Sequence, residues 1–312
     1  MEEFEEDLFD EEKIEQSLKR GKKKSILITI LISILVFIGL NLVNYMAYSY
    51  TSKQAFESWD AYFKLSSPNS YISETSDSRG FLGGETQYKV SKDMKVKPIV
   101  IEEGQYTFGL MPMGTISRGS SGMIGEDGKD WSVNYKENGW ADLLFFHPDI
   151  QYKKYKDDRE KMKDLAGERI FEIALSFDQA YSHSELPVKF FPGVNWLWVD
   201  NYSEENLNEM AEEAKVNDWS STFIREEEAL GFPVRDITNP DIFDSHYQDF
   251  LGLLKSSISE KHQGAYERLK DTEAEEVKIL GMVVYGTEEE LADLVNRDYV
   301  QAVSLGGVIE NY

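Results

Sequence analysis

The pattern of apolar positions divides the chain into a short leader and a long polar remainder. From Ser25 to Tyr48 there is no charged side chain, and Ile26 to Leu40 is mostly Ile, Leu, Val and Phe. This stretch has roughly the 20 residues that a helix needs to cross a hydrocarbon core of ~30 Å. A helix also satisfies every backbone N–H and C=O inside that layer. The pattern therefore predicts one transmembrane helix at residues 25–48.

The flanks of this span predict its orientation in the cell membrane. On the N-terminal side stand the basic residues Lys19, Arg20, Lys22, Lys23 and Lys24. Because basic residues stay on the cytoplasmic side, we expect Met1 inside and Tyr312 outside the cell. A cleaved signal peptide is the alternative, since Ala47-Tyr48-Ser49 fits a small-x-small cleavage site. Its apolar core, however, exceeds the roughly 7–15 residues of a signal peptide.

The N-terminal arm, residues 1–24, carries apolar side chains at near-helical spacing among charges. These side chains are Phe4, Leu8, Phe9, Ile14 and Leu18. Two interpretations remain open. The arm is either a docking element that places these side chains in the groove of a cytoplasmic partner, or a solvated or membrane-lying leader. An isolated helix of this length is marginal in water, so we expect it to order on binding or not at all.

Residues 49–165 read as a juxtamembrane helix followed by a β-rich extracytoplasmic region. Thr51 to Leu65 continues helically and places the aromatic rings of Phe56, Trp59 and Phe63 on one face. Strand-like segments follow, and Asp127-Gly128 between two of them predicts a two-residue hairpin turn. The charged segment Gln151–Asp164 predicts an exposed helix that ends at Gly167 and marks a boundary.

Residues 166–312 repeat an order of strand, helix and strand. The predicted strands are Arg169–Phe177, Val194–Val199, Val277–Tyr285 and Tyr299–Leu305. Thr287 opens a capped helix, and further helices are expected near Ser203–Lys215 and Ser245–Ser257. Two such units commonly form one ferredoxin-like α/β sandwich. The predicted fold class is α+β, with a single N-terminal transmembrane helix ahead of both extracytoplasmic parts.

Charge limits the partners of the outer part. The chain has a net charge of −24, and its first 24 residues hold nine acidic and six basic side chains, so residues 25–312 carry −21. A surface this acidic disfavours nucleic acid and anionic lipid as direct ligands. Membrane lipid is expected as the surroundings of the span. The sequence has no cysteine, so no disulfide supports the exported part.

Candidate chemistry is sparse along the chain. The histidines are scattered at positions without metal-ligand spacing: His147, His183, His246 and His262. No phosphate-binding loop or nucleophile elbow is present, so we expect no metal, no cofactor and no catalytic residue. A membrane-tethered hydrolase is the least favoured class. The run Glu226-Glu227-Glu228 reads as a solvated helix face.

The strongest local signal is aromatic. In the strand Val194–Val199, alternation places Trp196 and Trp198 on the same face. Two interpretations remain open here as well. The tryptophans either pack in the core or line a recognition groove for an envelope ligand, whose identity the sequence does not specify.

Several blocks of sequence resemble a known family. Leu8 to Ile14, the basic run into the span, and Phe56-Glu57-Ser58-Trp59 followed by Pro68-Asn69 resemble the N-terminal region of the sigma factor regulators of Bacilli and Clostridia. Gly167 to Phe177 and Val194 to Val199 resemble the C-terminal region of the same family.

The resemblance implies a membrane-bound regulator, similar to an anti-sigma factor, of an extracytoplasmic-function sigma factor. It implies that an envelope signal sensed outside the cell changes how the inner segment binds that factor. The residues facing the partner would be Phe4, Leu8, Phe9, Ile14 and Leu18. The arm is shorter than the cytoplasmic domain of many anti-sigma factors, so a companion membrane regulator is an alternative partner. The other alternative is an envelope binding or scaffold protein with no sigma-factor contact.

Overall fold

The computed structural model describes residues 11–110, 123–127, 131–165, 167–186, 194–216, 223–236 and 238–311. The helices within them are α1 (Glu11–Ser66), α2 (Arg159–Asp164), α3 (Glu204–Val216), α4 (Pro240–Ser256), α5 (Glu260–Leu269) and α6 (Glu288–Val295), with a 3₁₀ turn at His183–Glu185. The strands are β1 (Ser70–Arg79), β2 (Gly83–Asp93), β3 (Pro98–Gly109), β4 (Met123–Asp127), β5 (Trp131–Tyr135), β6 (Leu144–Phe145), β7 (Arg169–Tyr181), β8 (Val194–Val199), β9 (Ile224–Arg225), β10 (Gly231–Pro233), β11 (Ile279–Gly286) and β12 (Val300–Glu310). This mixture of helix and sheet behind one long apolar helix confirms the predicted fold class.

Helix α1 joins the arm, the span and the juxtamembrane segment in one element. It runs through 56 residues without a break, which corresponds to about 84 Å at ~1.5 Å per residue. Its apolar part is long and apolar enough to cross a membrane. The side chains there are exposed, with Phe37 at 68%. A continuous apolar surface of this size suits lipid better than water.

The last turns of α1 pack against a small antiparallel sheet with the order β1-β2-β3. The ring of Trp59 stacks on Tyr106 with centroids 5.5 Å apart, and Phe63 lies 5.1 Å from Tyr88. Trp59 and Phe63 are buried, as the predicted aromatic face requires, whereas Phe56 one turn earlier is 37% exposed. The end of α1 is therefore part of a hydrophobic core, and the helix enters the folded region rigidly.

A second sheet has the order β10-β8-β11-β7-β12, and every neighbouring pair is antiparallel. Strands β7 and β8 run in the same direction with β11 between them, and β11 and β12 do so with β7 between them. This is the predicted ferredoxin-like arrangement. Helix α6 makes the second crossover, and Thr287 caps it by accepting a hydrogen bond from the Glu290 N–H at 3.2 Å. Between β7 and β8, the described residues contain only the 3₁₀ turn.

Both faces of the second sheet are covered. Helices α4, α5 and α6 pack on one face, where Phe177, Leu197 and Phe250 are buried together. The short strands β6 and β9 cover the other face, where Phe145 lies against Trp196. Any charged side chain on the inner strands must therefore find its partners inside the protein.

The charged segment Gln151–Asp164 differs from its prediction, because only α2 is helical. Lys156 and Asp158 are buried, and Lys156 Nζ lies 3.2 Å from Asp158 Oδ2. The same oxygen accepts a hydrogen bond from the Leu305 N–H at 2.7 Å. The prediction of an exposed helix is wrong at residues 151–158, since these charges pair with one another and with the neighbouring strand β12.

Strands β4 and β5 pair as an antiparallel hairpin, which confirms the predicted hairpin at this place. Asp127 stands opposite Trp131, so three residues connect the strands. The prediction of a two-residue turn is therefore wrong. The connecting residues, 128–130, lie outside the described part of the chain.

Candidate functional site

The arm places two of the five predicted partner-facing residues on the first turns of α1. Ile14 and Leu18 are four positions apart and so share one face of the helix. Their exposed fractions are 42% and 67%. Beside them, Lys19 and Glu15 form an ion pair at 2.8 Å. The described part of the arm thus presents an apolar edge among charges. Outside the described residues lie Phe4, Leu8 and Phe9.

Trp196 and Trp198 lie in the core. Both side chains have an exposed fraction of 0%. The ring of Phe145 lies 5.1 Å from that of Trp198, because β6 covers this face of the sheet. The alternative of a recognition groove at these two residues is therefore wrong, and the core alternative describes them.

Five ionisable side chains meet between the two sheets, and we call Lys92, Lys136, Asp142, Glu172 and Glu226 the buried charge cluster. Lys92 Nζ lies 2.7 Å from Glu172 Oε1 and 2.8 Å from Glu226 Oε1. Lys136 Nζ lies 2.8 Å from Asp142 Oδ1 and 3.4 Å from Glu226 Oε1. Lys92 is 0% exposed, and Glu172 and Glu226 are each 1% exposed. Such charges are tolerated in a protein interior only when they are paired and hydrogen-bonded.

The remaining oxygens of the two glutamates are also paired. Glu226 accepts hydrogen bonds from Ser67 Oγ and, at 3.0 Å, from the Leu143 N–H. Glu172 accepts from the Tyr285 hydroxyl at 2.7 Å and from the Gly307 N–H at 3.1 Å. The four donors come from separate parts of the chain. The cluster therefore connects these parts through hydrogen bonds.

Local structure explains why the members meet. Lys92 stands near the end of β2, two residues after Val90 and four after Tyr88, so all three share the covered face. Glu172 stands on the inner strand β7, and Glu226 directly follows β9. The cluster therefore connects the small sheet, the second sheet and the end of α1.

Burial and the neighbouring charges shift the pKa values of Glu226 and Lys136 in opposite directions. Burial raises the pKa of Glu226, but the charges of Lys136 and Lys92 outweigh it and lower this pKa to about 2. Burial lowers the pKa of Lys136, and the charges of Glu226 and Asp142 outweigh it and raise this pKa above its usual range. Glu226 and Lys136 are therefore both ionised at neutral pH.

A cavity of about 160 Å³ with both polar and apolar lining adjoins the cluster. Tyr62, Ser66 and Ser67 line it from the end of α1, and Lys136 and Glu226 line it from the other side. The cavity has room for several water molecules. Phe63, Val90 and Ile101 of the aromatic core also line this cavity, so it lies where the end of α1, the aromatic core and the cluster meet.

A histidine contacts the same end of α1 from another direction. The His262 ring lies 5.5 Å from the Tyr62 ring, and its Nδ1 is 2.7 Å from Ser257 Oγ. Burial, together with a smaller effect of the charge of Lys261, lowers the pKa of His262 to about 4. His262 is therefore neutral at neutral pH and becomes charged only in acid.

Sequence reasoning missed this cluster. It assigned Glu226 to a solvated helix face, and that assignment is wrong because Glu226 is buried after a short strand, although Glu227 and Glu228 are exposed. The available signal was the alternation Tyr88, Val90, Lys92, which continues an apolar face into a lysine. Across the described residues, no group of three or more His, Asp or Glu is placed to hold a metal ion.

The fold and the buried charge cluster define a class. It is an α+β protein with one long N-terminal helix, and the end of that helix is bound to the folded region through the cluster. The profile of the sigma factor regulator N-terminal region matches residues 15–99, and that of the sigma factor regulator C-terminal region matches residues 162–307. The chain belongs to the sigma factor regulator family. No curated protein and no solved structure matched it. The family is membrane-bound, and membership gives the chain a role in sigma-factor regulation, with a sigma factor as partner.

Proposed function

We propose that this protein is a single-pass membrane regulator of an extracytoplasmic-function sigma factor. Its N-terminal arm lies in the cytoplasm and holds the factor inactive, and its folded region lies outside the membrane and responds to an envelope signal. The basic run before the span supports this orientation. The protein acts by binding and carries out no catalytic step.

One observation carries the proposal: α1 is unbroken from the arm to Ser66. At its N-terminal end the helix presents Ile14 and Leu18. At its C-terminal end it is packed through Trp59 and Phe63 and joins the buried charge cluster through Ser67, the next residue. A continuous helix transmits displacement and rotation, so a rearrangement outside the membrane changes the position of the arm inside.

Contacts across the possible signal-peptide cleavage site support a retained span. Asn44, which precedes Ala47-Tyr48-Ser49, donates a hydrogen bond to the Gly80 carbonyl at 3.3 Å. The helix continues through this site without a turn or break. Cleavage here would remove a segment that the folded region itself binds.

The test changes the apolar edge of the arm. Leu18→Glu and Ile14→Glu each place a carboxylate on the proposed docking face, which a partner groove would have to desolvate. We expect either variant to raise transcription of one sigma-factor regulon, measured by RNA sequencing in cells that carry the variant in place of the native protein. Gln16→Glu adds the same charge to an exposed polar position on the opposite face of the same helix and should leave transcription unchanged.

Membrane fractionation and blotting confirm that each variant is inserted at the native level. If both docking-face variants are inserted and the transcript profile matches that of Gln16→Glu, direct docking through this face is refuted. That result would favour the envelope scaffold as the function of the protein.

A further inference from the structure

The hairpin tip between β1 and β2, residues Gly80 to Gly84, has an unusual composition for a turn. The Gly80 N–H donates a hydrogen bond to the Gly83 carbonyl at 2.8 Å, so Phe81 and Leu82 form a two-residue loop. Phe81 is 74% exposed. Two-residue hairpin loops favour Asn, Asp and Gly, and two large apolar residues at an exposed tip run against this preference.

The backbone of the tip adds to the anomaly. Leu82 has a φ of 55°, in the left-handed region that favours Gly or Asn at this position of a turn. The turn is also packed closely against β3, because a Cβ at Gly83 would come within 2.2 Å of the Phe108 carbonyl oxygen. The fold therefore holds an apolar pair at the tip in a conformation that a small polar residue would adopt more easily.

The tip is bonded to the apolar part of α1. The Asn44 side chain donates to the Gly80 carbonyl at 3.3 Å and accepts from the Leu82 N–H. Further along the hairpin, Asp77 accepts a hydrogen bond from the Tyr48 hydroxyl at 3.1 Å. These contacts fix the height of the tip along α1.

That height is near the outer end of the span, which is predicted at residues 25–48. Twenty residues counted from Ile26 end at Tyr45 and rise about 30 Å, the thickness of the hydrocarbon core. Asn44 therefore lies at the boundary. The Arg79 guanidinium lies 5.2 Å from the centre of the Tyr45 ring and 5.7 Å from that of Tyr48. Tyrosine rings and a long cationic side chain are what membrane interfaces favour.

We propose that the hairpin tip is a second membrane contact, which inserts Phe81 into the headgroup layer of the outer leaflet beside α1. The attraction is apolar, so it does not depend on anionic lipid. The contact fixes the depth and the rotation of α1 at the point where it leaves the bilayer. The inference rests on the span and orientation proposed above.

Site-directed spin labelling of the full-length protein in phosphatidylcholine vesicles tests the proposal. Because the sequence has no cysteine, Phe81→Cys gives a single labelling site. Val96→Cys is the matched control, since Val96 is a 43% exposed apolar residue at the opposite end of β2. Ile34→Cys reports on the span itself. The readout is the ratio of collision rates with oxygen, which concentrates in lipid, and with a water-soluble nickel complex.

We expect the ratio at position 81 to exceed that at position 96 by about threefold or more, because a side chain buried at the interface meets more oxygen and less of the nickel complex. A ratio at 81 equal to that at 96, with a high ratio at 34, overturns the inserted tip and leaves the span intact. A low ratio at 34 overturns the span, and the tip proposal with it.

Discussion

Ser67, the first residue after α1, donates a hydrogen bond to Oε1 of Glu226, the first residue after β9. The two residues are 159 positions apart in sequence and both are buried. The same oxygen of Glu226 lies 2.8 Å from Lys92 Nζ. One carboxylate oxygen thus joins the end of the long helix, the small sheet and the segment after β9.

Removal of the negative charge of Glu226 should lower the free energy of unfolding. Glu226→Gln keeps the shape of the side chain but leaves Lys92 and Lys136 with one carboxylate fewer. Breaking a buried ion pair typically lowers the free energy of unfolding by about 3–5 kcal/mol. We expect a loss of that size in denaturant unfolding of the full-length protein in detergent, followed by tryptophan fluorescence. Glu227→Gln, at the exposed neighbouring position, should change it by less than about 0.5 kcal/mol; equal effects of the two variants would contradict the role of the cluster.

Acid should weaken the same connection. The pKa of Glu226 is lowered from 4.5 to about 2 in the folded protein. Its contribution is therefore fully present above about pH 4.5 and is lost as the pH falls to about 2, which amounts to about 3 kcal/mol. The measurement is the difference in unfolding free energy between wild type and Glu226→Gln as a function of pH. This difference should shrink below pH 4.5, and a constant difference from pH 5 to pH 3 would refute the lowered pKa.

His262 predicts a second loss of stability in acid, of similar size but at a higher pH. Its pKa falls from 6.5 to about 4 on folding, chiefly because of burial. The unfolded chain therefore binds the proton more strongly, so stability is complete above about pH 6.5 and declines by about 3 kcal/mol as the pH falls to 4. His262→Gln should flatten the curve of unfolding free energy between pH 6.5 and 4. His246→Gln, at a partly exposed position of α4, should leave the curve unchanged.

Two glycines of the hairpin tip should respond differently to the same methyl group. A Cβ at Gly83 would lie 2.2 Å from the Phe108 carbonyl oxygen, whereas a Cβ at Gly80 would have the Gly83 carbonyl oxygen as its nearest atom, at 3.4 Å. Gly83→Ala should cost about 1–3 kcal/mol, as overpacking does, and should speed amide hydrogen exchange in β1 and β2. Gly80→Ala should leave the exchange rates unchanged. Equal exchange rates in the two variants would show that the tip is loosely packed.

Much of the fold follows from periodicity. The long apolar run, the aromatic face with Trp59 and Phe63, and the capped helix at Thr287 each express a local preference that the sequence carries within a few residues. The ferredoxin-like sheet follows from the order of its strands and helices. Here local pattern and tertiary structure agree, which is why these predictions succeed.

The connection at the end of α1 depends on residues far apart in sequence. Glu226 and Lys92 are 134 positions apart, and no local pattern pairs them. Glu226 stands in a run of three glutamates, where one buried member among exposed neighbours has no periodic signature. In the segment before α2, the burial of Lys156 and Asp158 was missed for the same reason, since their partners lie on β12. The domain boundaries expected after residues 24, 48 and 165 stay predictions.

The most direct test of the central claim is an in-cell crosslinking pull-down of the full-length protein from detergent-solubilised membranes. A variant that lacks residues 1–17 and keeps the basic run and the span serves as the control. The account predicts that a sigma factor is captured with the full-length protein and lost with the variant. Capture of the same envelope components with both proteins, and of no sigma factor with either, would contradict it.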